Sequence, residues 1–454
     1  MGTLPKVVTE CLVALDGESH VAGPWTKIWR KCIDVVRANL ASEKSRTCDL
    51  DYVIQVCTSE IQQHCEERFL IYPYSDVPDA WRTLRTDSAL LGSCAALLQA
   101  HYGNVYPPSF WLARIRDLDM ALITCSPSSD RARVVYEMIA ALQSKCPTPS
   151  LDESREQPTK RRRRDASPPP HLDPRNAAHP IPELNHGPTL KEFLEFCPSS
   201  SDPHDVGRPF VLRGYARDWP ALHPASPEAD KPRWSDASYL NQRAGPGRVV
   251  PVEKGAMYTD ANWGQTILPF AAFLEQIGWD RDTAAPHPLY LAQHTLLTQF
   301  PWLSEDMRVP PYVSTRPPAP AYAAAERGAR PSAPIASVWI GPKKTVSAAH
   351  TDPYFNCFVQ VHGTKSVWIA PPHANDGGAM RVYGTSNDTQ GYTHLMSNTS
   401  QVDVFSACPP PFVERVAPHA MHTQLEAGDL LFLPPHWWHA MQSASPSFSV
   451  SFWF

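Results

Sequence analysis

The stretch "TVSAAHTDPYFNCFVQVHGTKSVWIAPP", residues 345–372, decides the fold. Two runs of β-branched and aromatic residues flank a turn at Gly363, the pattern of paired strands. His350 and Asp352 sit two apart at the end of the first run, and Lys365 opens the second. Side chains two apart on a strand share a face, so both can reach one ion. A third ligand has to come from another strand. "GDLLFLPPHWWHAM", residues 428–441, offers one: His439 follows a Gly-Asp turn and an apolar strand. His436 competes, but Pro434 and Pro435 before it suggest a position on the rim. Two histidines and a carboxylate that leave open positions are the donor set of Fe(II) oxygenases. Lys365 is placed to hold the far carboxylate of a dicarboxylate cosubstrate. His-x-Asp alone is common by chance. The strand setting, the downstream histidine and the lysine give it weight.

Outward from this stretch, residues 186–454 keep a period of two in "PFVLRGYARDWPAL", "SVWIGP" and "SFSVSFWF". Short strands joined by Gly and Pro turns predict a sandwich or jelly-roll barrel. A helical piece, "LPFAAFLEQIG", precedes them, and the low-complexity stretch 313–334 reads as an insertion looping over the surface. Residues 1–146 read as all-helical. Trp25, Ile28, Trp29, Cys32, Ile33 and Val36 form one apolar stripe, Leu50, Val53, Ile54, Cys57 and Ile61 a second, and Val134, Val135, Met138, Ile139 and Leu142 a third. Between the two regions, 147–185 is rich in proline and charge and predicts a disordered linker. Its basic run, Lys160 to Arg164, suits a nuclear import receptor. The expectation is an α+β protein: a helical domain, a linker and a C-terminal barrel.

Composition sets the outer limits. Proline, 48 of 454 residues, is about twice the usual share, and the excess falls in 147–185 and 309–334, which points to linkers. A net charge of −5 argues against a protein that coats nucleic acid, so no direct nucleic-acid binding is expected. No window approaches 18 uninterrupted apolar residues, so no membrane span is expected. The first residues lack a signal-peptide pattern. Of eleven cysteines, eight precede residue 147, and none forms a C-x-x-C pair. They read as reduced, buried small hydrophobes of a nuclear, or also cytoplasmic, protein.

Further stretches carry a resemblance: "VPVEKGAMYTDANWGQT", "YLAQH", "SVWIGPKKTVSAAHTDPYFNCFVQVHGTKS", "HLMSNTSQVDV", "GDLLFLPPHWWHA" and "SFSVSFWF". In this order they resemble the JmjC (jumonji-C) domain, a double-stranded β-helix of the cupin type, over residues 207–454. The resemblance implies Fe(II) on His350, Asp352 and His439. It implies 2-oxoglutarate against Tyr290, Ser347, Asn356 and Lys365, with O2 as co-reactant. It lines the substrate pocket with Glu253, Tyr258, Trp263, Gln293 and Trp339. The implied activity is hydroxylation of an arginine residue in a protein, or else demethylation of methyl-lysine on a histone tail. On physical grounds an acidic, aromatic-walled slot suits a guanidinium. Trp368 and Trp453 read instead as core packing. A catalytically dead peptide-binding scaffold and a cupin with another metal are the rival readings.

Overall fold

The computed structural model describes residues 3–16, 25–42, 47–146, 176–255, 263–279, 289–323, 331, 333–383 and 398–454. The chain divides into two compact units, one of residues 1–162 with 244–250, the other of 163–243 with 251–454.

The first unit is built from helices. α1 (Thr3–Leu15) and α2 (Trp25–Ala41) precede α3 (Thr47–Gln55), which runs through a π turn (Val56–Ile61) into α4 (Gln62–Phe69). α5 (Asp79–His101), α6 (Pro108–Cys125) and α7 (Ser129–Gln143) complete it. The stripes predicted from periodicity are the buried faces: Trp29, Cys32, Ile33 and Val36, then Leu50, Val53, Cys57 and Ile61, then Val134, Val135, Met138, Ile139 and Leu142. α5 has no polar face over its middle. Every residue from Leu84 to Gln99 except Asp87 is buried, and the helix packs against all the other helices of the unit. Small residues (Ser88, Ala89, Gly92, Ser93, Ala95 and Ala96) let neighbours approach it from every side. α6 begins with proline at its first turn and ends where Ser126 turns left-handed at φ 47°.

The second unit is a barrel of two facing sheets, with helices and turns outside. The smaller sheet has the order β1 (His179–Pro180), β11 (Met421–Leu425), β10 (Lys365–Ala370), β13 (Trp438–Ser443), β8 (Val346–His350). The larger has the order β2 (Glu183–Leu184), β3 (Phe210–Leu212), β12 (Leu430–Leu433), β9 (Asn356–His362), β14 (Ser447–Trp453), β7 (Ile335–Gly341), β6 (Leu289–His294), β4 (Val249–Lys254), β5 (Gly264–Pro269). Alternation sorts the side chains into inner and outer sets. On β10, Val367 and Ile369 join Phe358, Leu431 and Met441 between the sheets. Trp368 and Ala370 point outward and pack with Phe412 and Val416. Both faces are covered, so the strand runs apolar without a break from Val367 to Ala370. The Gly363 turn before β10 admits no other residue. Its φ is 74°, and a Cβ there would lie 1.9 Å from the Pro446 carbonyl oxygen.

Two boundaries differ from the sequence expectation. Residues 176–184, expected in the linker, belong to the barrel: β1 pairs with β11, β2 pairs with β3, and Asn176 Nδ2 donates to the carbonyls of Val404 and Ser406. A polar, proline-rich composition hides strands only two residues long. Within the expected insertion 313–334, residues 313–323 are tied down. Val313 is buried, and Tyr322 donates its hydroxyl to the Pro435 carbonyl at 2.8 Å. The run Lys160 to Arg164 lies outside the described residues.

Candidate metal centre

His350 and His439 face each other across neighbouring strands. β8 and β13 run antiparallel with His439 opposite His350, and the two rings lie 4.2 Å apart at 52°. Strand parity aims both inward, since Ala349 and Ala440 on the same strands join the outer core. A register shift follows: Met441 pairs with Ser347, two residues along one strand against three along the other. This bulge turns Ser347 and His350, three apart, into the same interior.

Asp352 departs from the expectation in one respect. β8 ends at His350, so Asp352 lies in the loop beyond the strand. It reaches the histidines because that loop is clamped: the His436 backbone N–H donates to the Asp352 carbonyl at 2.7 Å. His436 adopts a left-handed backbone, φ 59°, at this point, and its side chain is not among the converging ligands. Asp352 Oδ1 lies 3.9 Å from His350 Nε2, and Oδ2 lies 3.5 Å from His439 Nε2. His350, Asp352 and His439 are the one group of three ligating side chains that converges among the described residues, with donor atoms within 4.8 Å of one another.

Backbone carbonyls fix the histidine tautomers. His350 Nδ1 is 2.7 Å from the Ala348 oxygen, and His439 Nδ1 is 3.0 Å from the Trp437 oxygen. A carbonyl only accepts, so each Nδ1 carries a proton and each Nε2 is the nitrogen turned to the centre. Burial, with His439 beside it, holds His350 down at about 4, so it is neutral at physiological pH. Burial alone would push Asp352 up, but hydrogen bonding to His439 and both histidines nearby keep its carboxyl below the ordinary value. Burial would lower His439, but Asp352 beside it raises it instead; a divalent first-row metal would take the Nε2 lone pairs of both imidazoles together with the ionised carboxylate.

Above the centre, a pocket is lined by Trp339, Ser347, Asn356, Phe358, Lys365, Met441, Ser451 and Trp453, together with the three ligands. Lys365 shares the inward parity of Val367 and Ile369 and is only 1 % exposed. Its Nζ donates to the Tyr290 hydroxyl at 3.2 Å, and no carboxylate among the described residues pairs with it. Burial drops its pKa to about 7. Tyr290 shares a hydrogen bond with Ser347, and burial raises its phenol well above the usual range. Asn356 is buried with Oδ1 unpartnered, and Trp453 Nε1 is likewise buried without a partner. A buried ammonium without a counter-charge beside orphaned polar atoms is costly unless a ligand completes them.

The substrate-side residues meet in part. Glu253 lies opposite Tyr290 on paired strands. Burial raises its carboxyl, against a hydrogen bond from Trp263, and no lysine or arginine among the described residues pairs with it. Trp339 packs 5.8 Å from Tyr290 and donates to Ser451 Oγ at 3.1 Å. Trp263 is 37 % exposed. Gln293 is exposed, at φ 48°, where the β6–β7 pairing slips. The structure does not tie it to Glu253 by a hydrogen bond. Tyr258 lies outside the described residues.

Sequence reading assigned no role to Phe358, Met441 and Ser451, and placed Trp453 in the core. The signal was in "SFSVSFWF". Ser449, Ser451 and Trp453 are its inner face, while Phe448 packs outward against Trp234 and Trp279. Taking the apolar set of an alternating strand as the inward set reverses the pocket here, because outer elements cover the sheet. Trp368 is a packing residue as expected: it is fully buried and donates to the Asn176 carbonyl.

Comparison with known proteins gives the family of the barrel. The cupin-like domain family matches residues 202–454. Jumonji C domain-containing protein 5 of Drosophila melanogaster is 34 % identical over 276 residues, covering 60 % of this chain and 59 % of its own length. Lysine-specific demethylase 8 of Danio rerio is 30 % identical over 433 residues, covering 93 % of this chain and 92 % of its own. The human bifunctional peptidase and (3S)-lysyl hydroxylase JMJD7 is 24 % identical over 293 residues, covering 60 % and 84 %. The chain therefore belongs to the cupin-like JmjC family. Its relatives carry the names of demethylases and of a hydroxylase.

Proposed function

We propose that this protein is an Fe(II)- and 2-oxoglutarate-dependent oxygenase that hydroxylates an arginine residue of a protein substrate. The observation that carries the reading is the pairing, in one pocket, of a 2-His-1-carboxylate group with a buried lysine that has no counter-charge among the described residues. His350, Asp352 and His439 would hold the iron, whose chemistry when bound with the oxo acid is the activation of O2 for C–H oxidation. Lys365 and Tyr290 would receive the distal carboxylate, Lys365 as ammonium. Asn356 and Ser347 are the neighbouring polar side chains that would orient the oxo acid. The pocket walls Phe358, Met441 and Trp453 would exclude water from it.

Arginine is favoured by Glu253. A partly buried carboxylate with a raised pKa, held by one Trp263 N–H and lacking a cation, accepts a guanidinium fork. Trp339 and Tyr290 supply ring faces near it. The demethylase names of several relatives supply the second reading, removal of an N-methyl group from lysine as formaldehyde.

Mass analysis of product peptides separates the two. A gain of one oxygen on arginine is expected, and loss of a methyl group with formaldehyde release would replace the first reading by the second. Glu253→Ala is expected to leave uncoupled 2-oxoglutarate turnover while abolishing peptide oxidation. Unchanged peptide oxidation would remove Glu253 from the substrate pocket. We further propose that Lys160 to Arg164 directs nuclear import, so alanine replacement there should move a fluorescent fusion out of the nucleus. An unchanged distribution would refute it. Among the described residues, no helix is long and apolar enough to cross a membrane.

A further inference from the structure

The turn between β12 and β13, residues 434–437, touches two of the three converging ligands. The His436 N–H donates to the Asp352 carbonyl at 2.7 Å. The Trp437 carbonyl accepts from His439 Nδ1 at 3.0 Å, which orients that ring. His350 differs, since its Nδ1 bonds the Ala348 carbonyl of its own strand at 2.7 Å. The placement of Asp352 and His439 therefore follows the path of one turn.

Local preference does not set that path. His436 has φ 59°, a backbone that a residue other than glycine keeps where the surrounding structure fixes it. Pro434 and Pro435 before it have no N–H to donate, so the turn has to be held through its carbonyls and side chains. Two hydrogen bonds do this from outside the pocket. Tyr322 donates its hydroxyl to the Pro435 carbonyl at 2.8 Å, with its ring edge-on to His436 at 6.2 Å and 84°. Trp437 Nε1 donates to the Val206 carbonyl at 2.8 Å.

Both holds have one base. The Ala321 N–H, next to Tyr322, donates to the Ser199 carbonyl at 3.0 Å. Asp205 accepts from the Ser199 N–H at 2.9 Å and from the Gly207 N–H at 3.0 Å. The stretch 199–207 is thus tied to itself, carries Val206 and anchors the residue before Tyr322.

We propose that Tyr322 is a positioning residue of the metal centre: its hydroxyl braces the 434–437 turn, and the turn holds Asp352 and His439 where they meet His350. The inference rests on the reading of these three side chains as metal ligands. The path of the effect runs from the Tyr322 hydroxyl to the Pro435 carbonyl, and from the adjoining His436 N–H to the Asp352 carbonyl. Loss of the hydroxyl frees the strained turn to relax, and the Asp352 loop and the His439 ring lose a fixed partner with it. A residue of the stretch expected to loop over the surface thereby bears on metal retention without touching the metal.

The test uses the full-length protein, stripped with a chelator and titrated with Co(II), whose visible absorption reports its ligands without any turnover. Tyr322→Phe removes one hydroxyl and keeps the ring. It is expected to weaken Co(II) binding about tenfold, the low end for outer partners of metal ligands, with faster release to a competing chelator. Tyr312→Phe is the control. It removes a hydroxyl of the neighbouring stretch whose partner is the Pro188 carbonyl at 3.1 Å, and it should bind Co(II) as the parent does. Each change deletes one hydroxyl–carbonyl bond, so a general loss of stability would affect both alike. Equal weakening in the two variants, or parent-like binding and release in Tyr322→Phe, would overturn the positioning role alone. Parent protein that takes up no Co(II), or takes it up equally well as His350→Ala, would instead remove the metal centre and the inference with it.

Discussion

Buried charge is handled in opposite ways at Asp119 in the helical unit and at Lys365 in the barrel. In the helical unit, Asp119 is fully buried and meets Arg248, of the segment 244–250, through Nε and Nη2 at 2.8–3.0 Å, and it also accepts the Val249 N–H at 2.8 Å. Arg131 likewise meets Asp87 at 3.1 Å and donates to the Ala14 carbonyl. Asp119 and Arg248 complete one another, whereas Asp87 Oδ1 and Gln62 Nε2 are buried without hydrogen-bond partners, and burial raises the Asp87 carboxyl to about 7 against the pull of Arg131. In the barrel, among the described residues, Lys365 has a phenol but no carboxylate, and Asn356 Oδ1 and Trp453 Nε1 line the same pocket without partners. A closed network stabilises a fold. An open one destabilises it until something binds. The contrast teaches where to look for a ligand: not at buried charge as such, but at buried charge left incomplete.

Exchanging the incomplete charge for an apolar side chain tests this hardest. Lys365→Met is expected to weaken 2-oxoglutarate binding about a hundredfold, the worth of roughly 3 kcal/mol for hydrogen bonds to a charged group. The same change should raise thermal stability. The Lys365 ammonium falls from 10.5 to about 7 on folding, which at about 1.4 kcal/mol per unit is a cost on the order of 5 kcal/mol. The unfolded chain binds the extra proton between those values. Stability of the parent should therefore rise with pH from about 7 towards 10.5, and the methionine variant should lose that slope. A less stable variant in calorimetry would mean that Lys365 is already satisfied.

The complete network should respond in the opposite sense. Asp119→Ala leaves Arg248 buried without its carboxylate, and about 3–5 kcal/mol of stability should be lost. Denaturant titration measures this, and a loss below about 1 kcal/mol would show that the helical unit tolerates open charge as the barrel does.

A smaller effect follows from the same lysine. Binding a dicarboxylate requires the ammonium, while the free site gives up its proton near pH 7. Affinity for 2-oxoglutarate should fall up to about tenfold per pH unit above that, with proton uptake in calorimetry across buffers. A flat profile from pH 7 to 9 would remove Lys365 from the contact. The smallest effect belongs to the surface. Arg133 and Glu137 pair at 2.7 Å on an exposed turn of α7, so Arg133→Ala should cost only about 0.3–0.5 kcal/mol, screened by salt. A larger loss would show that exposure is a poor guide to which charges matter here.

The sequence by itself determined the helical stripes, the alternating strands and the His350, Asp352, His439 and Lys365 set. Periodicity and residue chemistry are local properties that survive without coordinates. It also carried the Gly363 turn, because only glycine fits there. Tertiary structure alone decided which face of each strand is the inside. Ser451 and Trp453 point to the pocket while Phe448 faces outward, since whether an apolar face is inner depends on what covers the sheet. It decided that a bulge brings Ser347 beside His350, and that a loop, held by the His436 N–H, presents Asp352.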